Sequence, residues 1–247
     1  IKLKTQLIKP IYLLELIASP KQLSECISLS ENWPNNISLQ WAWRNRINIS
    51  IVIEINSEFT NKNFGDLINY LPCNEPPEIS KVEGISHLPN FKLKDQLNQS
   101  NKKVHSEVIS LLGKEWGNNS WEAIKTIKSL MKVRPHENCY IAAQQLGGAT
   151  SNKKRIESSF IHRGAMWKPW INGAWTAGDI KTKKESLNWM EKCWENIEFV
   201  CPGVHLAQIH QHLNWHPKEL QRAFEDWLPE LQNLKSIYDP QGLLPPL

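Results

Sequence analysis

The stretch from Cys139 to Trp175 constrains the fold more than any other part of the chain. Tyr140-Ile141-Ala142-Ala143 is a short apolar run that leads into Gly147-Gly148. This reads as a strand ending where the backbone needs positive φ or a close approach to something. Ser151 to Ser159 is polar and charged, as a connection should be. From Met166 to Trp175 bulky residues alternate with small or polar ones, which predicts a second strand with one face turned to a cavity.

At 247 residues the chain is long enough to bury a proper core in one or two domains. Hydrophobic residues at 40% and charged residues at 22% describe an ordinary globular protein and exclude a disordered one. The net charge of +4 is small and the lysines are scattered. Lys153-Lys154-Arg155, the nearest thing to a cluster, reads as a solvated loop, so nucleic acid is not an expected partner. Nor is a membrane, since no apolar run approaches the roughly 20 residues needed to cross one. Cys26, Cys73, Cys139, Cys193 and Cys201 are odd in number, widely spaced and without C-x-x-C. This argues against a disulfide framework or a zinc ribbon and favours a reducing, cytoplasmic compartment. Sequons such as Asn36-Ile37-Ser38 read as accidents of a chain rich in Asn. The first residue is Ile1, not Met, so the chain reads as an excerpt or a processed form, and a targeting signal would lie upstream.

Along the chain, Ile1 to Ala18 alternates as a strand interrupted by Pro10. Ser19-Pro20 opens a helix to about Ser30, with Ser19 as cap and Pro20 in the first turn. Ile37–Arg44 and Ile47–Asn56 read as a hairpin across Asn45-Arg46, followed by a helix over Asn61–Tyr70. This order begins a ferredoxin-like α+β layer. Pro72 to Asn101 is the least ordered-looking part. Val104–Trp116 and Ser120–Val133 read as helices, as does Lys183–Ile197, with Leu187, Met190, Trp194 and Ile197 on one face. Gly203–Leu213 reads as a strand, and Pro217–Ile237 as a long amphipathic helix that Pro229 should bend or divide.

The order Gly147-Gly148-Ala149, then Phe160-Ile161-His162-Arg163, then a strand closed by Trp175 resembles the berberine-bridge-enzyme-like FAD-linked oxidases of the vanillyl-alcohol-oxidase superfamily. The segment from Leu231 to Pro240, with Lys235 and Tyr238-Asp239-Pro240, resembles that family's closing R-L-x-x-x-K-x-x-Y-D-P. The resemblance implies the C-terminal part of an FAD-dependent oxidoreductase that passes a hydride from a small organic substrate to flavin. It implies an α+β fold: an antiparallel sheet flanked by helices, with a final helix packing on an FAD domain. Residues 1–204 would be the substrate domain and 205–247 a segment returning to the FAD domain. That FAD domain, a partner within the same polypeptide, would lie before Ile1, since no G-x-G-x-x-G or other phosphate-cradling loop is present. This chain alone would then be inactive.

Counted back from Trp175, Lys168 stands where the family often carries a Glu or Gln against the substrate. An ammonium cannot replace a carboxylate base unless its pKa is strongly lowered, and would instead attract an anionic group. Lys168, Trp170 and Asn172 share one strand face under period two and are the candidate substrate-binding residues. They read equally as a surface lysine beside two core tryptophans. His162 and Arg163 are candidates for meeting the cofactor, against a plainer reading in which they anchor the turn. Gln208, in Leu206-Ala207-Gln208-Ile209, falls near the Asn of the family's Tyr-x-Asn-Tyr strand, whose tyrosines are missing here. The catalytic base is not legible. Two other readings stand beside the flavoprotein one. The 12 tryptophans would wall the pocket of a non-catalytic binding module, although core is the default for most. A metal-dependent hydrolase built on His205, His210, His212 and His216 is the weaker one. His210 and His212 would share a strand side, but no third ligand is spaced to complete the site, although Glu219 is near.

Overall fold

The computed structural model describes residues 9–54, 61–83, 103–148, 151, 160–206 and 210–244. Its first strand, β1 (Ile11–Ala18), starts directly after Pro10, and Ser19 then caps α1 (Pro20–Ser30). The cap is reciprocal: the Gln22 backbone N–H donates to Ser19 Oγ, and the Ser19 N–H donates to Gln22 Oε1. β2 (Ile37–Trp43) and β3 (Ile47–Glu54) form the expected hairpin, and α2 (Asn61–Tyr70) follows. β4 (Glu78–Val82) is a short edge strand inside the segment that looked least ordered.

The chain continues through β5 (Val104–Leu112), α3 (Ser120–Lys132), β6 (Tyr140–Gln145) and β7 (Trp167–Thr176). α4 (Ile180–Ile197), β8 (Gly203–Val204), α5 (His216–Phe224) and α6 (Leu228–Tyr238) complete it. The strands make one antiparallel sheet in the order β4-β1-β3-β2-β6-β7-β5-β8. This is the expected α+β class.

Three expectations need correction. Val104–Leu112 is a strand, not a helix. Leu, Glu and Ser tolerate helix, but Ile109 and Leu111 are buried while Val108 and Ser110 are half-exposed, and β7 and β8 pair with its two edges. Among the described residues the strand expected over Gly203–Leu213 covers Gly203–Val204, and Gln211 to Trp215 is turn. The long C-terminal helix is two helices, divided at Glu225–Trp227, where Glu225 has φ +49°. Pro229 sits in the first turn of α6, the helical position that needs no proline N–H.

One face of the sheet is the core. Leu39, Trp41, Ile49, Ile51, Ile141, Trp167 and Ile171 are all buried there, in one cluster with Leu23 and Ile27 of α1, Ile124 and Ile127 of α3, and Met190 and Trp194 of α4. Packing at β7 is tight: a Cβ on Gly173 would lie 2.4 Å from Met190 Sδ. Glu31, just after α1, ties three elements together. Its carboxylate accepts from the N–H groups of Trp116 (2.6 Å) and Gly117 (3.0 Å) and from Trp167 Nε1 (2.7 Å). Most tryptophans are thus core, and all five cysteines are free. Gly147 and Gly148 both have positive φ, at 137° and 56°, with nothing within 4 Å of an added Cβ. Conformation, not close approach, requires that pair.

Candidate functional site

Directly opposed residues on antiparallel strands point to the same side, so the register maps the sheet's other face. One row runs Glu78, Glu15, Ser50, Gln40, Gln144, Lys168 across β4-β1-β3-β2-β6-β7. A second runs Ile17, Asn48, Ala42, Ala142, Trp170, Ser110. Tyr140 and Asn172 lie in a third, with the Arg44 guanidinium 4.1 Å above the Tyr140 ring centroid. Ser50, Gln40, Gln144, Lys168, Trp170 and Ser110 are each half-exposed. This is a polar face behind which the apolar core lies.

Lys168, Trp170 and Asn172 therefore do share one strand face, as their spacing predicts. Asn172 is the most enclosed of the three, and its Nδ2 donates to the Asn138 carbonyl at 3.0 Å. Burial lowers the Lys168 pKa from the usual lysine value, and no acidic side chain among the described residues opposes that shift.

His205 is a neighbour that strand spacing did not single out. Its N–H donates to the Ser110 carbonyl at 2.9 Å, which continues the Leu111–Val204 pairing by one residue. The register thereby sets His205 on the polar face beside Ser110 and Trp170. Burial first, and the Lys168 charge second, lower the pKa of its imidazole. Its Nδ1 is buried without a hydrogen-bond partner. The ring meets Phe160 edge-on, at 6.0 Å between centroids.

Two of the candidate cofactor residues, His162 and Arg163, lie beside this corner around Phe160. His162 Nε2 lies 2.9 Å from the Arg222 carbonyl of α5, and its ring packs where a Gly203 side chain would be. Arg163 lies over the Phe160 ring, 5.2 Å from its centroid. Gln208 lies outside the described residues.

The other histidines are gathered at the β5 edge but not on a strand. His210 Nδ1 lies 2.5 Å from Glu219 Oε1, and its Nε2 lies 3.4 Å from Glu107. His212 lies 3.0 Å from Glu107, and His216 lies 3.5 Å from Glu219. Glu219 is fully buried and His210 nearly so. Burial would lower the His210 pKa, but the hydrogen bond and charge of Glu219, with Glu107 behind them, outweigh it and raise the value. Among the described residues no three His, Cys, Asp or Glu are grouped to hold a metal ion. The cluster joins β5, the turn after β8 and α5. No helix among the described residues is long and apolar enough to cross a membrane.

No family model matches the sequence. Solved structures match the fold closely. BBE-like 1 of Physcomitrella patens superposes with a TM-score of 0.75 at 13% identity, over 98% of this chain and 54% of that one. Glucooligosaccharide oxidase from Acremonium strictum, studied for its 6-S-cysteinyl, 8α-N1-histidyl FAD, superposes with a TM-score of 0.68 at 14% identity, over 94% and 54%. In sequence, the chain is 24% identical over 138 residues to the uncharacterized FAD-linked oxidoreductase YgaK of Bacillus subtilis (strain 168), covering 52% of this chain and 29% of that protein. The chain thus spans about half the length of the solved structures it matches and less of the curated relative. Over nearly the whole chain, the fold is that of the matching half of a berberine-bridge-enzyme-like FAD-linked oxidase, the family that Gly147-Gly148-Ala149 and Tyr238-Asp239-Pro240 resemble.

Proposed function

We propose that this chain is the substrate-side part of an FAD-dependent oxidoreductase, in which a small organic substrate lies between the polar sheet face and the flavin. The observation that carries this reading is the asymmetry of the sheet: helices bury one face, while the other presents Gln40, Gln144, Lys168 and Trp170 half-exposed. A half-exposed polar face with one aromatic ring fits a flat cofactor with a substrate beneath it. The flavin, when bound, supplies the two-electron acceptor for hydride transfer.

This chain's own residues do the rest. Trp170 bounds the substrate laterally, Lys168 and Gln144 orient its polar groups, and Asn172, pinned by Asn138, sets the far limit of the pocket. Gln208 meets the cofactor. His162 and Arg163 serve that side through Phe160, which both touch. The division into residues 1–204 and 205–247 belongs to the same proposal. Leu234, Ile237 and Tyr238 on α6 and Leu243 and Leu244 beyond it are exposed apolar groups suited to an FAD domain in the same polypeptide. Residues 1–247 alone then bind FAD weakly and turn nothing over, and turnover by that fragment would end this part of the proposal. The binding-module reading loses its main support, because most of the tryptophans it needed are core.

The deciding experiment is an absorption spectrum of the natural full-length polypeptide, purified natively, before and after acid precipitation. Bands near roughly 370 and 450 nm, expected of any flavin cofactor, support the reading, and their retention in the pellet marks covalent attachment. A colourless protein that takes up no added FAD overturns it.

A further inference from the structure

Two basic side chains share the β7-β5-β8 end of the polar face with no acidic partner among the described residues. Lys168 comes from β7, and His205 from the residue after β8. Around His205, β5 contributes uncharged Val108, Ser110 and Leu112 to that face, and the 160–163 segment contributes Phe160 with Arg163 and His162. The acidic end of the Lys168 row, at Glu15 and Glu78, is four or more strands away, about 19 Å at ~4.8 Å per strand. The charge that acts on the imidazole is that of Lys168. A half-buried ammonium that also repels its neighbour is unfavourable in the free protein. Unfavourable local arrangements of this kind gather at ligand sites.

We propose that Lys168 and His205 together bind an anionic oxygen group of the substrate, a carboxylate or a phosphoryl group. The register supports this independently of titration: Lys168, Gln144, Ser110 and His205 all lie on one face of the sheet, across the neighbouring strands β6, β7, β5 and β8, and the imidazole Nδ1 is buried without a hydrogen-bond partner. The lowered imidazole pKa adds a consequence. Burial and the Lys168 charge lower the imidazole pKa in the free protein, so an anion that offsets the Lys168 charge raises it and draws protons from solvent onto His205. Binding and protonation are reciprocal. The anion binds more tightly as pH falls, by up to about tenfold per pH unit between the free and bound imidazole pKa values. The inference rests on the flavoprotein reading only in taking this ligand to be the substrate.

The test is calorimetry on the full-length protein with propionate, sulfate as the phosphoryl stand-in, and uncharged propionamide. Each titration runs in two buffers of different ionisation enthalpy, so that proton uptake is read directly. The expected result is anion binding with net proton uptake, and no binding of propionamide. Lys168→Met should weaken the anion at least tenfold. His205→Asn should abolish proton uptake and flatten the pH dependence while leaving the affinity at pH 8 within about threefold of wild type. Tighter propionate identifies a carboxylate and tighter sulfate a phosphoryl group. Propionamide binding as well as propionate, unchanged affinity in Lys168→Met, or proton uptake surviving His205→Asn would each overturn the proposal. A yellow protein that binds neither anion ends this inference alone. A colourless one that binds them as described ends the flavin reading and leaves this site standing.

Discussion

Trp167 and Trp170 lie three residues apart on β7 and face opposite sides of the sheet. Trp167 is fully buried, packed at 5.8 Å between ring centroids from Trp116, with its indole N–H on Glu31. Trp170 is half-exposed in a row with Ala142 and Ser110. The same residue type thus does two jobs in one strand. On the helix side the hydrophobic effect and close packing decide every neighbour. On the polar side the strand leaves amides, a hydroxyl, a cation and one aromatic ring half in water. A face with no stabilising work to do in the free chain is where a ligand can be bound without dismantling the core.

That contrast can be broken most directly at the two tryptophans. Trp167→Ala should cost about 3–5 kcal/mol, the range for deleting a fully buried aromatic side chain, and it also strands the Glu31 carboxylate. Trp170→Ala should cost less than half as much in the same denaturant unfolding series. Equal costs would mean that the polar face is core as well.

A smaller effect, and one that depends on pH, is expected at the His210–Glu219 pair. The folded pKa of His210 lies above its unfolded value. Its contribution is therefore complete below about pH 6.5, the ordinary histidine value, and is lost as pH rises through the folded pKa. His210→Gln should cost about 2 kcal/mol at pH 6, as for a hydrogen bond to a charged group, and the gap from wild type should narrow at pH 9. A gap that widens with pH would show that the imidazole is held neutral.

The smallest change belongs to Lys168→Met. It removes a half-buried cation with no ion-pair partner among the described residues, so stability should move by less than about 0.5 kcal/mol. A loss above about 2 kcal/mol would make Lys168 a structural residue and remove it from the site.

Much of the fold was legible because local physics and tertiary context agreed. Ser19, Pro20 and Gln22 carry a complete helix start in four residues, and Ile47 to Glu54 alternates cleanly because one side is buried. The motifs around Gly147-Gly148 and Tyr238-Asp239-Pro240 pointed to the family resemblance because their backbone requirements are written in the residues themselves. Val104–Leu112 was misread as helix because its alternation is blurred at Leu111-Leu112, where both side chains are buried between β7 and β8. The single long C-terminal helix failed at Glu225, a residue type that gives no local warning of positive φ.

The sequence by itself determined the α+β class, most helix starts, the Gly-Gly turn and the shared face of Lys168, Trp170 and Asn172. These depend on periodicity, capping and φ preference, which act over a few residues. Only the tertiary structure decided that Lys168 would stand beside His205, that Gln40 and Gln144 would continue its row, and that His210 would be spent on Glu219 and Glu107. Those neighbours come from strands distant in sequence, brought into register by burying Ile49, Ile51, Ile141 and Ile171 on the opposite face. The polar face was set by the packing of the apolar one, because in a pleated strand fixing one side fixes the other.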